Sequence, residues 1–528
     1  MKKQKPTILK RWIGPKMIGS IILFIFSVGP TFIFPQSTPQ KAIDLLTVVK
    51  TTIQNNPSIR IQQEQVKIYE GMLQSAGGQF DVSMQSQFGA SNENTPLLKA
   101  QQTSGISTLS QEQSFYNFGV YKQFRSGILL SSELNFNRIS DQFSNRTVPN
   151  YAGANVTATV PLLRGRGKAA TAATEMAFTK NHDASKLSLN HTTSLYVYNT
   201  VTVYWNYVAA THIVAIQNES EKRAEKLVNE TQTLIDAEER PQAEINQLKA
   251  NLADKISARI SSEQNLYVAK QNLGLAMGIR NHNIDLLPLP ADEFPTISSM
   301  DFDSVLIQSK FIRSSLEKRA DLKAAVYRED AAKILLREAQ NREKPQLSLS
   351  INAGYNGLNE GDNLNQYFTP FKQNISGLNF GSTISYEIPT GIQHGLAVQR
   401  IAEYEQSNIE SDEIARNIKS SVAVAINELK RSIQRLEKSR ESIEFYRTTV
   451  ENEKLKFQQG LSTLIDLILY EDRLTNALLN QVSSQLSYAT AVAKLRYETG
   501  TLIEFENNDI AFDIDHLISI PYLEDSGK

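Results

Sequence analysis

The stretch Phe457-Gln-Gln-Gly-Leu-Ser-Thr-Leu-Ile-Asp466 decides the fold, because one long heptad-patterned segment ends in it and another begins there. Before it, Val422, Leu429 and Leu436 recur at steps of seven, as on the buried face of a coiled-coil helix. A glycine followed by small polar residues is typical of a turn between helices. The stretch therefore predicts a long antiparallel helical hairpin. Its tip consists of Gly460, Leu461, Ser462 and Thr463.

A weaker copy of this hairpin lies 222 positions earlier, at residues 235–278. At that offset Gly460 corresponds to Glu238, and Gly500 corresponds to Gly278. Such internal similarity indicates that one structural plan is used twice. The predicted boundaries are 1–36 for a signal peptide, 40–290 for the first repeat, 291–310 for a connector, 311–505 for the second repeat and 506–528 for a C-terminal tail.

The N-terminus has six cationic and no acidic residues within 1–36, followed by an apolar run from Met17 to Val28. This arrangement is typical of a secretory signal peptide. A retained anchor is the alternative, because 31–34 prolong the apolar character. Removal of the six cations changes the formal charge from −1 to −7, so the exported chain would be mildly acidic. We therefore expect no nucleic-acid partner.

The composition excludes several kinds of active site. The chain contains no cysteine, which rules out thiolate metal sites, thiol catalysis and disulfides. Its six histidines form no pair at metal-ligand spacing, and no catalytic triad is recognisable. The run Arg164–Lys168 lacks the spacing of a phosphate-binding loop and is better interpreted as a strand-to-helix corner. We predict no enzyme activity, no catalytic or metal-binding residue and no cofactor.

Four segments show the period of two that is typical of strands, with apolar residues on one face and Ser, Thr, Asn or Gln on the other. They lie at about 79–90, 152–161, 346–355 and 378–389. Weaker alternation at 114–139 leaves three alternatives: further barrel strands, a plug or a surface loop. The strands of each repeat lead into helices through corners. The predicted corner residues are Pro161, Gly165, Pro389 and Gly391.

Each repeat also contains one very long helix and one return helix. They are predicted at 168–237 and 242–278, and at 394–459 and 464–499. A helix of about 70 residues is roughly 105 Å long, which exceeds a globular domain. Beyond the N-terminal region, no apolar run reaches the roughly 20 residues of a membrane-spanning helix. A membrane location would then require a closed β-barrel shared among subunits, because four strands are too few.

Taken together, these motifs resemble the TolC-like outer-membrane efflux and secretion proteins. The resemblance covers about 40–505. It rests on two motifs predicted to open helices, on a strand ending and on a turn. The helix openers are Asn56-Pro57-Ser58-Ile59 and Arg319-Ala320-Asp321-Leu322, the strand ending is Val160-Pro161-Leu-Leu-Arg-Gly-Arg-Gly167 and the turn is Gln459–Leu467. It implies a mixed α/β membrane protein that forms a homotrimeric duct. The implied duct has a shared 12-stranded antiparallel β-barrel and a long antiparallel α-helical barrel, with two repeats in each protomer.

The resemblance further implies a passive exit duct in the outer membrane of a two-membrane bacterium, extending into the periplasm. Such a duct serves a tripartite efflux pump or a type I secretion system. The implied partners are outer-membrane lipid, a periplasmic adaptor protein and an inner-membrane RND or ABC transporter. The alternative is a periplasmic coiled-coil interaction or structural protein without channel activity. The cargo is not readable from the sequence.

The resemblance assigns two roles near the opening stretch. An aspartate at the position of Asp466 faces the pore and forms its constriction, and a second one follows three residues later, where this chain has Leu469. The tip at Gly460 docks the adaptor. The alternatives are a solvated acid on a helix face and a plain turn. Because the first copy has Glu238-Glu239-Arg240-Pro241 instead, the two tips need not dock equally.

One aromatic cluster in the first long helix also requires an explanation. Packing between helices, at the level where the strand barrel meets the helical barrel, is the first interpretation. An interfacial membrane belt is the alternative. The cluster consists of Tyr196, Tyr198, Tyr204, Trp205 and Tyr207.

Overall fold

The computed structural model describes residues 42–102, 105, 107–141, 148–238, 240–297, 305–372, 376–506 and 509–521. The predicted signal peptide lies outside these residues. The first half contains α1 (Leu45–Asn55), α2 (Pro57–Gly78), β1 (Val82–Pro96), β2 (Thr108–Gln123), β3 (Leu129–Asp141), β4 (Pro149–Pro161), α3 (Lys168–Thr171), α4 (Ala173–Asp236), α5 (Glu244–Ala276) and α6 (Asn281–Ile284). The second half contains α7 (Val305–Lys318), α8 (Ala320–Arg342), β5 (Gln346–Glu360), α9 (Leu364–Phe368), β6 (Ser376–Glu387), α10 (Gly391–Gln458), α11 (Leu464–Glu498), β7 (Glu504–Glu506), β8 (Asp509–Ala511) and α12 (Ile514–Ile518).

Both halves open with two helices separated by one extended residue. At the first break, the Asn56 side chain accepts a hydrogen bond from the backbone N–H of Ser58 at 2.9 Å, and Pro57 occupies the first helical position. At the second break, Arg319 has almost the same backbone angles as Asn56. The two motifs predicted as helix openers therefore start α2 and α8.

One antiparallel sheet contains six strands in the order β1-β2-β3-β4-β5-β6. The expectation of four strands in each chain is therefore wrong. The region 114–139 falls within β2 and β3, which pair with β1 and β4 on either side. The pairing of β4 with β5, for example Val160 with Leu349, joins the two repeats.

Each repeat contains one very long helix. Helix α4 has 64 residues and α10 has 68, which at 1.5 Å per residue gives about 96 and 102 Å. A short break at Ala172 separates α3 from α4 where one continuous helix was expected. Helix α5 packs along α4, α11 packs along both α10 and α4, and α2 and α8 also pack on α4. Among the described residues, no helix combines enough length with enough apolar character to cross a membrane.

The repeat that the sequence suggests is also present in the backbone. Glu238 and Gly460 both have left-handed conformations, with φ of 63° and 73°. Gly278 and Gly500, the next pair at the same offset, have φ of 70° and 67°. The backbone thus keeps the same turn geometry at both ends of the return helices, including where the glycine is missing.

The largest buried cluster lies midway along α4. Tyr204, Trp205 and Tyr207 are almost fully buried, so the packing interpretation holds for these three. The Tyr204 hydroxyl donates to Asp292 Oδ2 at 2.6 Å, and the Tyr207 hydroxyl donates to the Pro288 carbonyl at 3.1 Å. Tyr204 lies 31 residues, or about 46 Å, beyond the start of α4. The prediction that the aromatic cluster packs where the strands meet the helices is therefore wrong.

Two predicted irregular regions contain regular structure. Helix α7 begins at Val305, inside the predicted connector. The tail carries the hairpin β7–β8 and the short α12. Leu517 from this tail belongs to the same buried cluster as Tyr204, and Ile510 and Phe512 pack against that cluster. The tail therefore packs against the helices, and its acidic composition hid these few apolar anchors.

Candidate functional site

One face of the six-stranded sheet is mostly apolar across all six strands. The register aligns Met84, Val120, Ser132, Val156, Ala353 and Phe380 in one row across the strands. The next row aligns Ser86, Phe118, Leu134, Ala154, Tyr355 and Leu378. Many of these side chains are open to the surroundings, and Phe380 is 79% exposed. An exposed apolar surface of this extent is unusual for a soluble chain and indicates a contact with lipid or protein.

The opposite face of the same sheet is polar. One row there consists of Gln85, Gly119, Glu133, Asn155, Gly354 and Asn379. Another consists of Ser83, Tyr121, Ser131, Thr157, Asn352 and Gly381. Because successive side chains alternate between faces, the pairing register decides which face each residue joins. The sheet is thus apolar on one side and able to face water on the other.

Aromatic rings gather on the apolar face at the strand ends far from the long helices. The Phe136 ring lies 6.2 Å from Tyr367, 5.7 Å from Phe368 and 6.1 Å from Phe371. Tyr367 and Phe368 belong to α9, which follows β5 and folds back over the sheet. Aromatic residues favour the boundary between lipid and water. No periodic pattern predicts this cluster, because three of its four rings come from the short irregular connection that follows β5.

The two predicted corners lie between strands and helices. Pro161 ends β4, and Gly165 follows with φ of 78° before α3 begins. The Gly165 N–H donates to Asn341 Oδ1 at 2.9 Å, which ties the first corner to the end of α8. Pro389 and Gly391 lie between β6 and the first turn of α10. There the backbone N–H of Thr390 donates to Gln393 Oε1 at 2.8 Å and caps the long helix.

The second tip is a helix ending followed directly by a helix start. The Gly460 N–H donates to the Phe457 carbonyl at 3.1 Å, and the Leu461 N–H donates to the Lys456 carbonyl at 2.9 Å. This pair of bonds and the left-handed glycine form a Schellman motif that satisfies the last carbonyls of α10. The Leu461 side chain is 74% exposed. The tip therefore presents an apolar side chain on a rigid turn.

Asp466 lies in the first turn of α11 and is half-buried. Its carboxylate accepts a hydrogen bond from Thr463 Oγ1 at 2.6 Å, while Thr463 Oγ1 accepts from the Asp466 N–H at 3.2 Å. This reciprocal pair caps the helix, so within one chain Asp466 has a structural role. Nearby, the Ser462 hydroxyl and the Lys456 ammonium hold the pKa of Glu453 below its usual value. Leu469, one turn beyond Asp466, is 42% exposed.

The first tip has a different stabilisation. Glu238 takes the left-handed position, which is unfavourable for a residue with a side chain. Arg240 reaches from this tip to the second one. Its guanidinium lies 4.4 Å from the centre of the Phe457 ring, and its Nη2 donates to the Phe457 carbonyl at 3.1 Å. The first tip is thus attached to the end of α10. Glu239 lies outside the described residues.

A buried charge network, which the sequence analysis did not identify, lies at the second helix break. Arg319 binds Asp321 through two hydrogen bonds of 3.0 and 2.7 Å and also binds Glu498. Burial raises the pKa of Glu498 although Arg319 opposes the shift. Burial also acts to raise the pKa of Asp321, but the hydrogen bonds and the positive charge of Arg319, with smaller contributions from His191 and the Leu322 N–H, together lower that pKa. Arg319 and Asp321 both belong to the predicted helix opener, whereas Glu498, the second partner of Arg319, is 179 positions further along the chain and no local pattern indicates it.

Comparisons with known proteins agree with these features. The family model described as outer membrane efflux protein matches residues 311–501. The fold is similar to the outer-membrane channel CmeC of Campylobacter jejuni, with a TM-score of 0.64, 15% identity and coverage of 86% of this chain and 85% of that one.

Two further solved structures show the same fold. The outer membrane protein VceC of Vibrio cholerae has a TM-score of 0.63 and 15% identity, covering 86% of this chain and 96% of that one. The open state of the outer-membrane channel MtrE of Neisseria gonorrhoeae has a TM-score of 0.60 and 13% identity, covering 86% and 88%. No curated protein sequence matches the chain. At these identities, the structural likeness shows the fold alone.

Proposed function

We propose that the chain is one subunit of a trimeric exit duct, on the premise that its residues 311–501 match the family model described as outer membrane efflux protein. The family is one of outer-membrane transport proteins and not of enzymes. The duct crosses the outer membrane through a barrel to which each chain contributes its sheet. The long helices extend it through the periplasm towards an adaptor and an inner-membrane transporter of the RND or ABC class.

The observation that carries this proposal is the mostly apolar face that extends across all six strands of the sheet. Burying a side chain such as Phe380 in lipid is favourable by about 1.5–3 kcal/mol. The six strands place further apolar side chains on this face in two or more rows, and each of them adds a similar free energy when it is buried in lipid. The polar face stays in contact with water. A periplasmic coiled-coil protein has no use for such a face. The distribution of side chains therefore supports membrane insertion of this sheet.

The free edges of the molecule support a ring of copies. Strand β1 and helices α2 and α5 lie on one side, because α2 and α5 pack mainly on α4. Strand β6 and helix α10 lie on the other side. Exposed apolar residues mark both helical edges, with Ile61 at 68% on α2 and Phe445 at 67% on α10. Joining the second edge of one copy to the first edge of the next gives a closed ring, in which no strand edge stays unpaired.

The membrane face can be tested with a pair of adjacent tryptophan variants. Phe380→Trp places the indole on the apolar face of β6, and Asn379→Trp places it on the polar face. In vesicles of brominated lipid, we expect strong quenching and a blue-shifted emission for Phe380→Trp only. Trp205 is buried in the helical region and provides a constant background. Equal quenching of the two variants, or recovery of the protein in the soluble fraction, would contradict the proposal.

We further propose that Asp466 lines the narrowest part of the duct at its inner end. The support is its place one turn inside the tip, together with the constriction that the family resemblance implies there. The same carboxylate caps α11, so the two roles must be separated. Asp466→Asn retains an acceptor for Thr463 and removes the charge, whereas Asp466→Ala removes both.

Planar-bilayer recordings distinguish these roles. If Asp466 lines the pore, both variants lose cation block and cation selectivity to the same extent. If the residue only caps the helix, neither variant changes the current. In either case only Asp466→Ala lowers the thermal stability, by about 1 kcal/mol, because it removes the cap.

The tip at residues 460–463 is proposed as the docking point for the adaptor. Leu461 is exposed on a turn that both flanking helices hold rigidly, which is the arrangement of an apolar anchor. We expect Leu461→Ser to weaken capture of the cognate adaptor at least tenfold. Leu455→Ser is the matched control, because Leu455 is also exposed and lies on α10, six residues before Leu461. Equal losses from both variants would mean that the tip is not the docking point.

A further inference from the structure

The hairpin formed by β2 and β3 is an integral part of the sheet. Strand β2 pairs with β1 from Val82–Lys122 to Pro96–Thr108, which is the whole length of β1. Strand β3 pairs with β4 from Leu129–Thr159 to Arg138–Asn150. The apolar and polar rows continue through both strands without a change of face. A plug or a surface loop would interrupt these rows, because β1 and β4 would then have to pair directly.

The turn of this hairpin is built into the first strand-to-helix corner. The Gly167 N–H donates to the Ser126 carbonyl at 2.9 Å, and Arg125 donates two bonds of 2.7 and 2.6 Å to Glu175 at the start of α4. Gly127 has φ of 96°, and a Cβ there would lie 2.3 Å from the Gly165 carbonyl oxygen. The contacts place the turn at the same level as the corners of β4 and β6. The hairpin therefore runs the full height of the sheet.

In the described part of the second repeat there is no counterpart of this hairpin, since the described residues between β5 and β6 contain α9 and one short 3₁₀ turn but no strand. Arg319 lies 263 positions after Asn56 at the helix breaks, but Gly460 lies 222 positions after Glu238 at the tips. The first repeat thus contains 41 additional residues, enough for two strands and their turns. Because the hairpin adds an even number of antiparallel strands, β4 runs in the same direction as it would without the hairpin. The elements that follow β4 can therefore keep the order found in the second repeat.

Resting on the proposed trimeric duct, we propose that its barrel contains eighteen strands and admits cargo of polypeptide size. With strands about 4.8 Å apart and tilted by about 40°, eighteen strands give a backbone diameter of about 36 Å, against about 24 Å for twelve. After about 10 Å for inward side chains, the open widths are about 26 and 14 Å. The narrower width passes little more than one helix of 10–12 Å, whereas the wider one passes a hydrated or partly folded polypeptide.

The width is measured by polymer exclusion in planar bilayers. Poly(ethylene glycols) of graded size are added on the extracellular side, and the largest polymer that enters the mouth is determined. The matched variant lacks residues 99–146, which joins the outer end of β1 to the outer end of β4 and leaves four strands. We expect the entry limit of the full chain to be about 1.5- to 2-fold larger in diameter. Equal limits in two conducting proteins would overturn the eighteen-strand barrel.

Cysteine pairs provide a second measurement that does not depend on the deletion variant. The chain has no cysteine of its own, and Ser83, Tyr121, Ser131 and Thr157 lie in one row across β1 to β4. Oxidation should link Ser83→Cys to Tyr121→Cys, and Ser131→Cys to Thr157→Cys. The pair Ser83→Cys and Thr157→Cys is three strands apart, about 14 Å, which is too far for a disulfide.

The possible outcomes separate the two proposals. Linkage of Ser83→Cys to Thr157→Cys within trimers that still conduct would exclude the hairpin from the barrel and overturn this inference alone. Absence of trimers or of any channel current would contradict the proposed function itself. Linkage of the two neighbouring pairs with a large entry limit supports both.

Discussion

Removing the cation of the buried network at the second helix break should destabilise the protein strongly. Arg319, Asp321 and Glu498 have side chains that are only 10%, 18% and 12% exposed. At about 4 Å and an effective dielectric constant near 20, each attraction is worth about 4 kcal/mol, and the cost of burial cancels much of this. The substitution Arg319→Met keeps the bulk of the side chain but leaves two carboxylates without their partner. We expect a loss of about 3–5 kcal/mol at pH 7.

The loss should depend on pH in a defined direction. In the variant both carboxylates lose the positive charge that favours their ionised form, so the folded state gains a preference for protonation. Groups whose pKa is higher in the folded than in the unfolded state destabilise the fold at neutral pH, and the effect fades as the pH falls through those pKa values. The deficit of Arg319→Met relative to the original chain should therefore shrink between about pH 7 and pH 4.5.

Denaturation of the purified protein in detergent, followed by circular dichroism at several pH values, measures this deficit. Arg313→Met is the matched control, because Arg313 pairs with Glu317 within helix α7 on the surface. The side chains of Arg313 and Glu317 are 85% and 67% exposed. The control should change stability by less than about 1 kcal/mol. Equal losses in the two variants at pH 7, or a deficit of Arg319→Met that does not depend on pH, would refute the reasoning.

Three substitutions at the left-handed turns give further predictions for the same denaturation assay. Glu238→Gly should stabilise the chain by about 0.5–1 kcal/mol, because relief of the left-handed strain exceeds the added freedom of the unfolded state; a loss of stability would contradict this. Gly460→Ala should cost about 1–2 kcal/mol, since a Cβ there meets no atom within 4 Å and only the backbone strain counts. Gly278→Ala should cost more than Gly460→Ala, because its Cβ would lie 2.6 Å from the Asn55 carbonyl oxygen; equal costs would show that the contact is easily relieved.

The sequence was most informative where one periodic pattern extends over many residues. The return helix predicted at 464–499 is observed as Leu464–Glu498, because the turn at Gly460 marks its start and its apolar positions continue to its end. The faces of the strands were also predictable, since a period of two needs only the local sequence. The number of strands was not predictable, because the alternation is weak in β2 and β3. Lys122 and Ser132 interrupt the apolar face of these strands, and the aromatic Tyr121 lies on their polar face.

Other features depend on contacts between distant positions. The bond between Arg319 and Glu498 joins two helices, and no pattern in either of them indicates the partner. The aromatic cluster around Phe136 requires a short connection to fold back over the sheet. In the tail, the three apolar anchors are too few to form a periodic signal. In each case the local sequence limits the possibilities, and the tertiary packing selects one of them.

The two tips show how one backbone plan can serve different purposes. Glu238 accepts an unfavourable conformation that Gly460 adopts freely, so the turn itself is required by the packing of the return helices. The first tip is then held by Arg240, whose guanidinium covers the Phe457 ring and binds its carbonyl. The second tip carries no such attachment at Leu461, which stays exposed. A docking partner would therefore meet an apolar anchor at the second tip, and a turn already engaged within the chain at the first.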